Sequence, residues 1–298
     1  MISDRAGSAL LLAVLLAVLA GPATAQGGAS DRQAGSSTPR PAEAQHSQQD
    51  SDATGDAEFK TLLASLGEKA AVYESIALRF VCVEQARSSE EKGDGKSYDY
   101  MYVEAEAQRY RPYRQKHSVK PNASTQEVDL DTPFPDSYSW TLMFDPKRQQ
   151  LFHFQYVGRE WYSLRDAYII AFTAPLPFTA GRTIYEWSGK VWIDAENLNF
   201  LKVEAVPADQ DDRLQQMLHT YRQSTRFLGM NLGHRPVGAR YEITFLNQFQ
   251  KLSLPDQAEY HQFILDVEGD AELTGFQIQR YSGYQFFGVE LHDKFIGK

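Results

Sequence analysis

The feature that most constrains this fold is the alternation of apolar and polar residues from Phe80 to the end of the chain. Successive side chains on a strand point to opposite faces of a sheet, so a period of two predicts strands with one buried face. Turn residues such as Asp94-Gly95 separate the runs, and the connections are too short for helices that cross between parallel strands. The chain is therefore predicted to be α+β, with roughly nine or ten strands in one large curved antiparallel sheet, an unclosed β-barrel.

The clearest predicted hairpin surrounds the turn Asp145-Pro146-Lys147. Large apolar residues alternate with other residues on both sides of this turn, which predicts two paired strands with a common apolar face. The residues predicted to share that face are Trp140, Leu142, Phe144, Phe152, Phe154 and Tyr156.

Two segments show helical spacing instead of alternation. Apolar residues recur at intervals of three and four from an N-cap at Asp56 to about Arg79, which predicts an N-terminal helix with one apolar face. A short amphipathic helix is predicted within residues 208–226. Because the first helix must bury its apolar face, we expect it to pack on the concave face of the sheet.

The N-terminal region indicates export. Residues 1–25 combine Arg5, a run of 12 apolar residues from Ala9 to Ala20, and the cleavage site Ala23-Thr24-Ala25, as in a secretory signal peptide. The run is too short to cross a membrane as a helix, so we expect cleavage after Ala25, no membrane span afterwards, and release to the periplasm or the medium. Residues 26–55 contain no large apolar side chain and are predicted to be a disordered linker, followed by one domain over residues 56–298.

Charge and motif content exclude several classes of protein. The net charge of −9 disfavours sequence-independent nucleic-acid binding, which requires clustered positive charge. The single cysteine, Cys82, stands in an apolar run and is predicted to be buried. Hydrolase, metalloprotease and nucleotide-binding motifs are missing from the sequence, and the seven histidines are not spaced as metal ligands. We therefore predict that the protein is not an enzyme and uses no metal and no cofactor.

Three groups of polar residues have a structural interpretation that we favour over a functional one. His153, between two phenylalanines, is predicted to face solvent rather than to bind a ligand. Asp209, Asp211 and Asp212 are expected to begin the second helix rather than to bind calcium. The arginines and tyrosines of residues 109–114 are interpreted as a polar strand edge rather than as a nucleic-acid contact.

The predicted strands carry many aromatic and aliphatic side chains, and two interpretations of them remain open. They form an ordinary core against the first helix, or they line a partly open apolar cavity for an acyl chain or a lipidated partner. In the second case the ligand-binding residues are Trp140, Leu142, Phe144, Phe152, Phe154, Tyr156, Ile243, Phe245, Phe263 and Leu265.

Several short motifs resemble those of a known family. Residues 188–194 (SGKVWID) followed by residues 200–204 (FLKVE) resemble the G-x-V-W-I-D … L-x-x-E hairpin of the LolA/LolB/RseB-like superfamily. Residues 241–249 with the following Leu254-Pro255 resemble its next strand and turn, and residues 276–289 resemble its last, aromatic strand. The opening helix followed by residues 80–84 (FVCVE) resembles the start of exported proteins of acidobacterial type.

The resemblance implies a half-open β-barrel with a helix over an apolar concave face. Known members carry lipoproteins across the periplasm, accept them at the outer membrane or sense envelope stress, and none is an enzyme. Together with the apolar strands, it predicts an exported soluble protein that holds an acyl chain, a lipid or a lipoprotein. The alternatives are a structural or regulatory envelope protein that binds a protein partner by its surface, and, less favoured, a hydrolase of unknown type.

Overall fold

The computed structural model describes residues 46–288 except 92, 106–108, 118–125, 129, 131, 133–134, 175–185 and 229–234. The chain divides into two units, residues 1–50 and 51–298, and the first is described only where α1 begins. The predicted signal peptide and the linker as far as residue 45 lie outside the described residues. Among the helices in the described part of the chain, none has the length and apolar character needed to cross a membrane.

The described residues form three α-helices, one 3-10 helix and twelve strands. In chain order they are α1 (His46–Ala77), β1 (Phe80–Ser88), β2 (Lys96–Ala105), β3 (Arg109–Lys116), the 3-10 helix (Ser137–Leu142), α2 (Pro146–Gln149), β4 (His153–Tyr162), β5 (Arg165–Ala174), β6 (Trp187–Asp194), β7 (Phe200–Pro207), α3 (Gln210–Leu228), β8 (Val237–Thr244), β9 (Asn247–Phe249), β10 (Leu252–Leu254), β11 (Gln257–Leu265) and β12 (Ala271–Phe286).

Ten strands form one sheet in the order β3-β2-β1-β12-β11-β8-β7-β6-β5-β4, and β9 pairs only with β10. All neighbours in the large sheet are antiparallel. The first and last of the described strands, β1 and β12, are neighbours inside the sheet, and the sheet does not close, because β3 and β4 are its two edges. The prediction of an α+β fold with a large unclosed antiparallel sheet is confirmed.

The face of the sheet that α1 covers, called the inner face below, carries the main core. Along α1, Leu66, Ala70, Tyr73 and Ile76 recur at helical spacing and are at most 1% exposed. They pack on the sheet and on the segment between β3 and β4, which runs from one edge of the sheet to the other. The Tyr73 hydroxyl donates to the Ser253 carbonyl oxygen over 2.7 Å and fixes the helix to β10.

The structure corrects the predicted start of this helix. α1 begins at His46, so Asp56 lies within the helix instead of capping it, and residues 46–55 of the expected linker are helical. Residues 46–55 contain no proline and only one glycine, Gly55, so nothing in their composition stops the helix from extending.

The predicted hairpin around Asp145 is wrong. Residues 137–142 form the 3-10 helix and residues 146–149 form α2, while β4 pairs with β5. Asp136 and Asp145 cap these two helices by accepting hydrogen bonds from Tyr138 N (3.1 Å) and Lys147 N (2.8 Å). Such local side-chain bonds compete with strand pairing. Because the 3-10 helix is buried on nearly every side, its apolar residues do not mark a single sheet face.

The second predicted helix is confirmed as α3. Asp211 and Asp212 stand in its first turn, where the helix dipole favours acidic residues. Leu214, Leu218 and Tyr221 form one stripe that packs on Leu265 of β11, in a cluster separate from the main core.

Candidate functional site

Several apolar side chains at the β4 end of the inner face are only partly buried. We call this region the apolar mouth; it is formed by Phe59, Leu62, Leu63, Phe152, Phe154, Tyr156 and Tyr168. Six of these side chains are partly buried, and Tyr156 is 42% exposed. The mouth is therefore apolar surface, at the edge of the sheet, that neither α1 nor the core covers completely.

Aromatic contacts connect the two walls of the mouth. The rings of Phe59 on α1 and Tyr156 on β4 lie 6.0 Å apart, centroid to centroid. Phe154 stacks between Phe144 of the core, at 4.9 Å, and Phe152, at 5.3 Å. The mouth is thus continuous with the core along its floor.

The ten residues that the sequence suggested for a cavity fall into three groups. Phe152, Phe154 and Tyr156 line the mouth. Phe263 and Leu265 belong to the separate α3 cluster, so the structure does not bring them together with the other eight. The five that lie in the closed part of the core, at most 2% exposed, are Trp140, Leu142, Phe144, Ile243 and Phe245.

The two halves of α1 are attached differently. Its C-terminal half carries the buried stripe from Leu66, and Tyr138 donates to the Tyr73 carbonyl oxygen over 2.7 Å. In the described part before Leu66, residues 57–65, Phe59, Leu62 and Leu63 are only partly buried, and the Gln149 side chain donates to the Leu63 carbonyl oxygen over 2.9 Å. Gly67 lies at the boundary, where a Cβ would stand 3.2 Å from Gln149 Nε2.

A charged pocket lies beside the mouth. Its volume is about 600 Å³, and it is lined by residues at the β4–β5 turn and the β6–β7 turn: Arg159, Trp161, Leu164, Arg165, Asp166, Asp194, Ala195, Glu196 and Asn197. Two ion pairs hold its walls, one between Arg159 and Asp166 and one between Arg165 and Asp194. Both residues of the β4–β5 turn, Ser163 and Leu164, have positive φ, as a type I′ hairpin turn requires.

The charged pocket is linked to α1 by Lys69. Its ammonium group donates to the Asn197 carbonyl oxygen over 3.1 Å, and the residue is only 7% exposed. Burial lowers the pKa of Lys69 to about 8, against the opposing attraction of Asp194. The wall formed by the β6–β7 turn is therefore fixed to the helix by a poorly solvated charge.

At the opposite end of the inner face, three charged side chains form a buried cluster. The Arg114 guanidinium pairs with both Glu84 oxygens and donates to Asp136 over 3.1 Å. All three side chains are at most 9% exposed. Burial raises the pKa of Glu84 while Arg114 opposes the rise. The interpretation of residues 109–114 as a polar strand edge is wrong for Arg114, because its side chain turns into the core to compensate the buried Glu84.

This buried ion cluster was not identified from the sequence. Glu84 and Asp136 stand 30 and 22 positions from Arg114 in the chain. One signal was available, because Glu84 shares the strand face of Phe80 and Cys82, and a charge on a buried face requires a partner. The tyrosine hydroxyl of Tyr100 also donates to Asp136, over 2.6 Å.

Other residues that the sequence singled out agree with their structural interpretations. Cys82 is 2% exposed and not bonded to another cysteine, and burial raises the pKa of its thiol. His153 lies on an exposed position of β4. In the part of the chain that the structure describes, no three His, Cys, Asp or Glu residues are grouped as metal ligands.

Comparison with known proteins gives structural matches only. No protein-family model matches the chain, and no curated protein matches its sequence. A Vibrio parahaemolyticus domain described as an outer membrane lipoprotein-sorting protein is 12% identical over 76% of this chain and 94% of its own, with a TM-score of 0.38. A LolA superfamily protein from Nitrosomonas europaea is 15% identical over 79% of this chain and 97% of its own, with a TM-score of 0.32. A chain of a MucA/MucB complex from Pseudomonas aeruginosa is 9% identical over 76% of this chain and 99% of its own, with a TM-score of 0.23. One of these matches is described as a LolA superfamily protein, a member of the superfamily that the sequence motifs resemble.

Proposed function

We propose that this chain is an exported, non-enzymatic binding protein that holds the acyl chain of a lipid or lipoprotein in the apolar mouth. The observation that carries the proposal is the incomplete burial of Phe59, Phe152 and Phe154 at the edge of an unclosed sheet. Apolar area that remains partly hydrated is available to stabilise a ligand, by about 25 cal/mol for each Å² removed from water.

The mouth is a better candidate than the closed core. Trp140, Phe200, Tyr241 and Phe245 are at most 1% exposed, so a ligand would have to displace packed side chains to reach them. An acyl chain entering between Phe59 and Tyr156 would instead cover side chains that already contact solvent. Phe144, stacked on Phe154, would form the floor of this site.

Residues 57–65 of α1 would act as a lid over the ligand. This segment carries Phe59, Leu62 and Leu63, whose side chains are less buried than those of the stripe that begins at Leu66. Gly67, which has a low helix propensity, stands where the two halves meet. Opening would separate Phe59 from Tyr156 and leave the buried C-terminal half in place.

One observation favours a second candidate function, a protein-interaction module of the envelope. Within the described residues, β4 pairs with β5 along one edge, and no strand pairs with its other edge. Of the ten large apolar side chains that the described residues expose, five lie in or beside this strand: Leu151, Tyr156, Val157, Trp161 and Leu164. An unpaired edge with apolar side chains can accept an extended segment of another protein as an additional strand.

The test is native mass spectrometry of the mature protein purified from its own cell envelope, combined with lipid extraction. We expect a co-purifying acyl species that is lost in Phe154→Ser and retained in Phe263→Ser, a partly buried strand phenylalanine of the α3 cluster. Circular dichroism would establish that both variants fold. An apo mass together with no binding of a fluorescent fatty acid would refute the proposal and favour the protein-interaction alternative.

A further inference from the structure

The charged pocket is joined to the apolar mouth by a continuous series of side chains. Phe59 contacts Tyr156, whose ring lies 6.3 Å from that of Tyr168. The Arg159 guanidinium carbon in turn stands 4.8 Å from the centre of the Tyr168 ring. Because Arg159 also lines the charged pocket, one side chain borders both regions. A single amphiphilic molecule could therefore contact the mouth with its apolar part and the pocket with its polar part.

The pocket offers hydrogen-bond donors to an anionic group. Arg159 and Arg165 use one terminal nitrogen each in their pairs with Asp166 and Asp194. Their side chains are 48% and 44% exposed, and a guanidinium has five N–H donors, so other donors remain accessible. Guanidinium groups bind phosphate well because two parallel N–H donors match two of its oxygens.

The same pocket offers partners to a cation. Trp161 is 76% exposed, and an indole ring attracts an ammonium group through its electron-rich face. Glu196 is also exposed, and among the described ion pairs there is none that includes it. Two arginines and three carboxylates line the pocket. The pocket therefore contains groups of both charges, and its formal net charge is −1.

We infer that the charged pocket binds a zwitterionic headgroup, one that contains a phosphate and an ammonium group, of an amphiphile whose acyl chains occupy the apolar mouth. This inference rests on the proposed function, since the mouth supplies the acyl site. The phosphate lies against Arg159 and Arg165, and the ammonium group lies against Trp161 and Glu196. An anionic headgroup without an amine leaves Glu196 unpaired beside a negative charge, and an uncharged headgroup uses neither arginine.

The first experiment compares headgroups on identical chains. Isothermal titration calorimetry of the full mature protein would use dihexanoyl phosphatidylcholine, phosphatidylethanolamine, phosphatidylglycerol and dihexanoylglycerol, each below its micelle concentration. We expect the two zwitterionic lipids to bind at least about fivefold more tightly than the other two, the effect of one added charge or cation–π contact. Free phosphocholine, which has no chains, should bind at least about tenfold more weakly than either.

Variants separate the two charges of the headgroup. Glu196→Gln should reduce the preference for the zwitterionic lipids over phosphatidylglycerol, and Arg165→Gln should reduce their preference over dihexanoylglycerol, each by about threefold to fivefold. The matched control is Glu272→Gln, an exposed carboxylate that pairs with Arg235 outside the pocket, and it should change neither preference.

The outcomes distinguish this inference from the proposed function. Equal affinity for all four lipids, or preferences that Glu196→Gln and Arg165→Gln leave unchanged, would overturn the headgroup assignment and leave the acyl site intact. Binding of none of the four lipids would overturn the proposed function itself. Phosphocholine that binds as tightly as the intact lipid would contradict the connection between the pocket and the mouth.

Discussion

The two edge strands of the sheet end it in different ways. β3 carries Pro112 and two accessible cationic residues, Arg111 and Lys116, and the following segment pairs with it through a Gln115–Glu127 bridge and a 2.8 Å bond from Val128 N to Arg114 O. Along the free edge of β4, the described residues supply no pairing strand, and three of its apolar side chains are exposed, those of Tyr156, Val157 and Trp161. Proteins protect sheet edges with charge, proline, bulges or cover. The β3 edge has charge, proline and cover, whereas β4 has one bulge, at Val157, and no pairing strand among the described residues.

The side chains on the inner face near the two edges also differ in how completely they are buried. Behind β3, Arg114 links Glu84 and Asp136 in a buried cluster that fixes the 3-10 helix to the sheet. Behind β4, partly buried aromatic rings meet the less buried half of α1. One end of the inner face therefore stabilises the fold, while the other end retains uncovered apolar surface.

The largest expected effect comes from breaking the buried ion cluster. Arg114→Met should lower the free energy of unfolding by about 3–5 kcal/mol, because it leaves Glu84 buried without its cation. Denaturant unfolding at neutral pH measures this loss. The double variant Glu84→Gln/Arg114→Met should recover much of it, and a loss below about 1 kcal/mol in the single variant would show that this end does not anchor the fold.

A pair of phenylalanine truncations compares the core with the mouth. Phe200→Ala, at a residue 1% exposed, should cost about 3–5 kcal/mol of unfolding free energy, and Phe154→Ala about half as much, since Phe154 is only partly buried. Only Phe154→Ala should also abolish the binding of a fluorescent fatty acid. Equal stability losses, or loss of binding only in Phe200→Ala, would contradict the distinction between the two regions.

The pH dependence of stability tests the contact between α1 and the charged pocket. The pKa of Lys69 is about 8 in the fold and 10.5 for an ordinary lysine, so between these values the unfolded chain binds more protons and stability rises with pH. Between pH 7 and 9, the stability of the native protein relative to Lys69→Met should increase by about 1 kcal/mol. A difference that stays constant over this range would mean that the amine is well solvated.

The smallest effect is expected at the exposed edge. Val157→Lys, at a position 50% exposed on β4, should change the free energy of unfolding by less than about 0.5 kcal/mol. It should nevertheless reduce any self-association or capture of an extended peptide, because a lysine disfavours pairing at a sheet edge. A large stability loss would indicate that β4 is not a free edge.

Much of the fold could be predicted because it follows from local pattern. The pattern predicted strands over residues 185–194 and 200–206, a strand beginning at 241–245 and another at 263–267, which β6, β7, β8 and β11 confirm in part of their length, and helical spacing predicted α3. Antiparallel pairing followed from the short connections. The β4–β5 turn gave no such signal, because Ser163-Leu164 adopts positive φ without the usual glycine or asparagine.

The candidate site could be predicted only in part, because it depends on contacts between distant segments. Phe154 and Tyr156 were identified from alternation, but their contacts with α1 were not encoded in any local pattern. Trp140 and Leu142 were predicted to lie on a strand because they alternate with other residues. The prediction failed because the aspartate caps favour helical turns, and because a segment buried on most sides has no single apolar face. The charged pocket joins two turns that are about 30 residues apart in the chain, so its charges come together only in the folded sheet.

The location of the binding site can be measured by amide hydrogen exchange of the mature protein, with and without dihexanoyl phosphatidylcholine. We expect the lipid to slow exchange in residues 57–66 of α1 and in β4 and β5, while the residues of β3 and of the buried ion cluster keep their rates. Protection confined to β3, or spread evenly over all ten strands, would contradict a binding site at the open edge of the sheet.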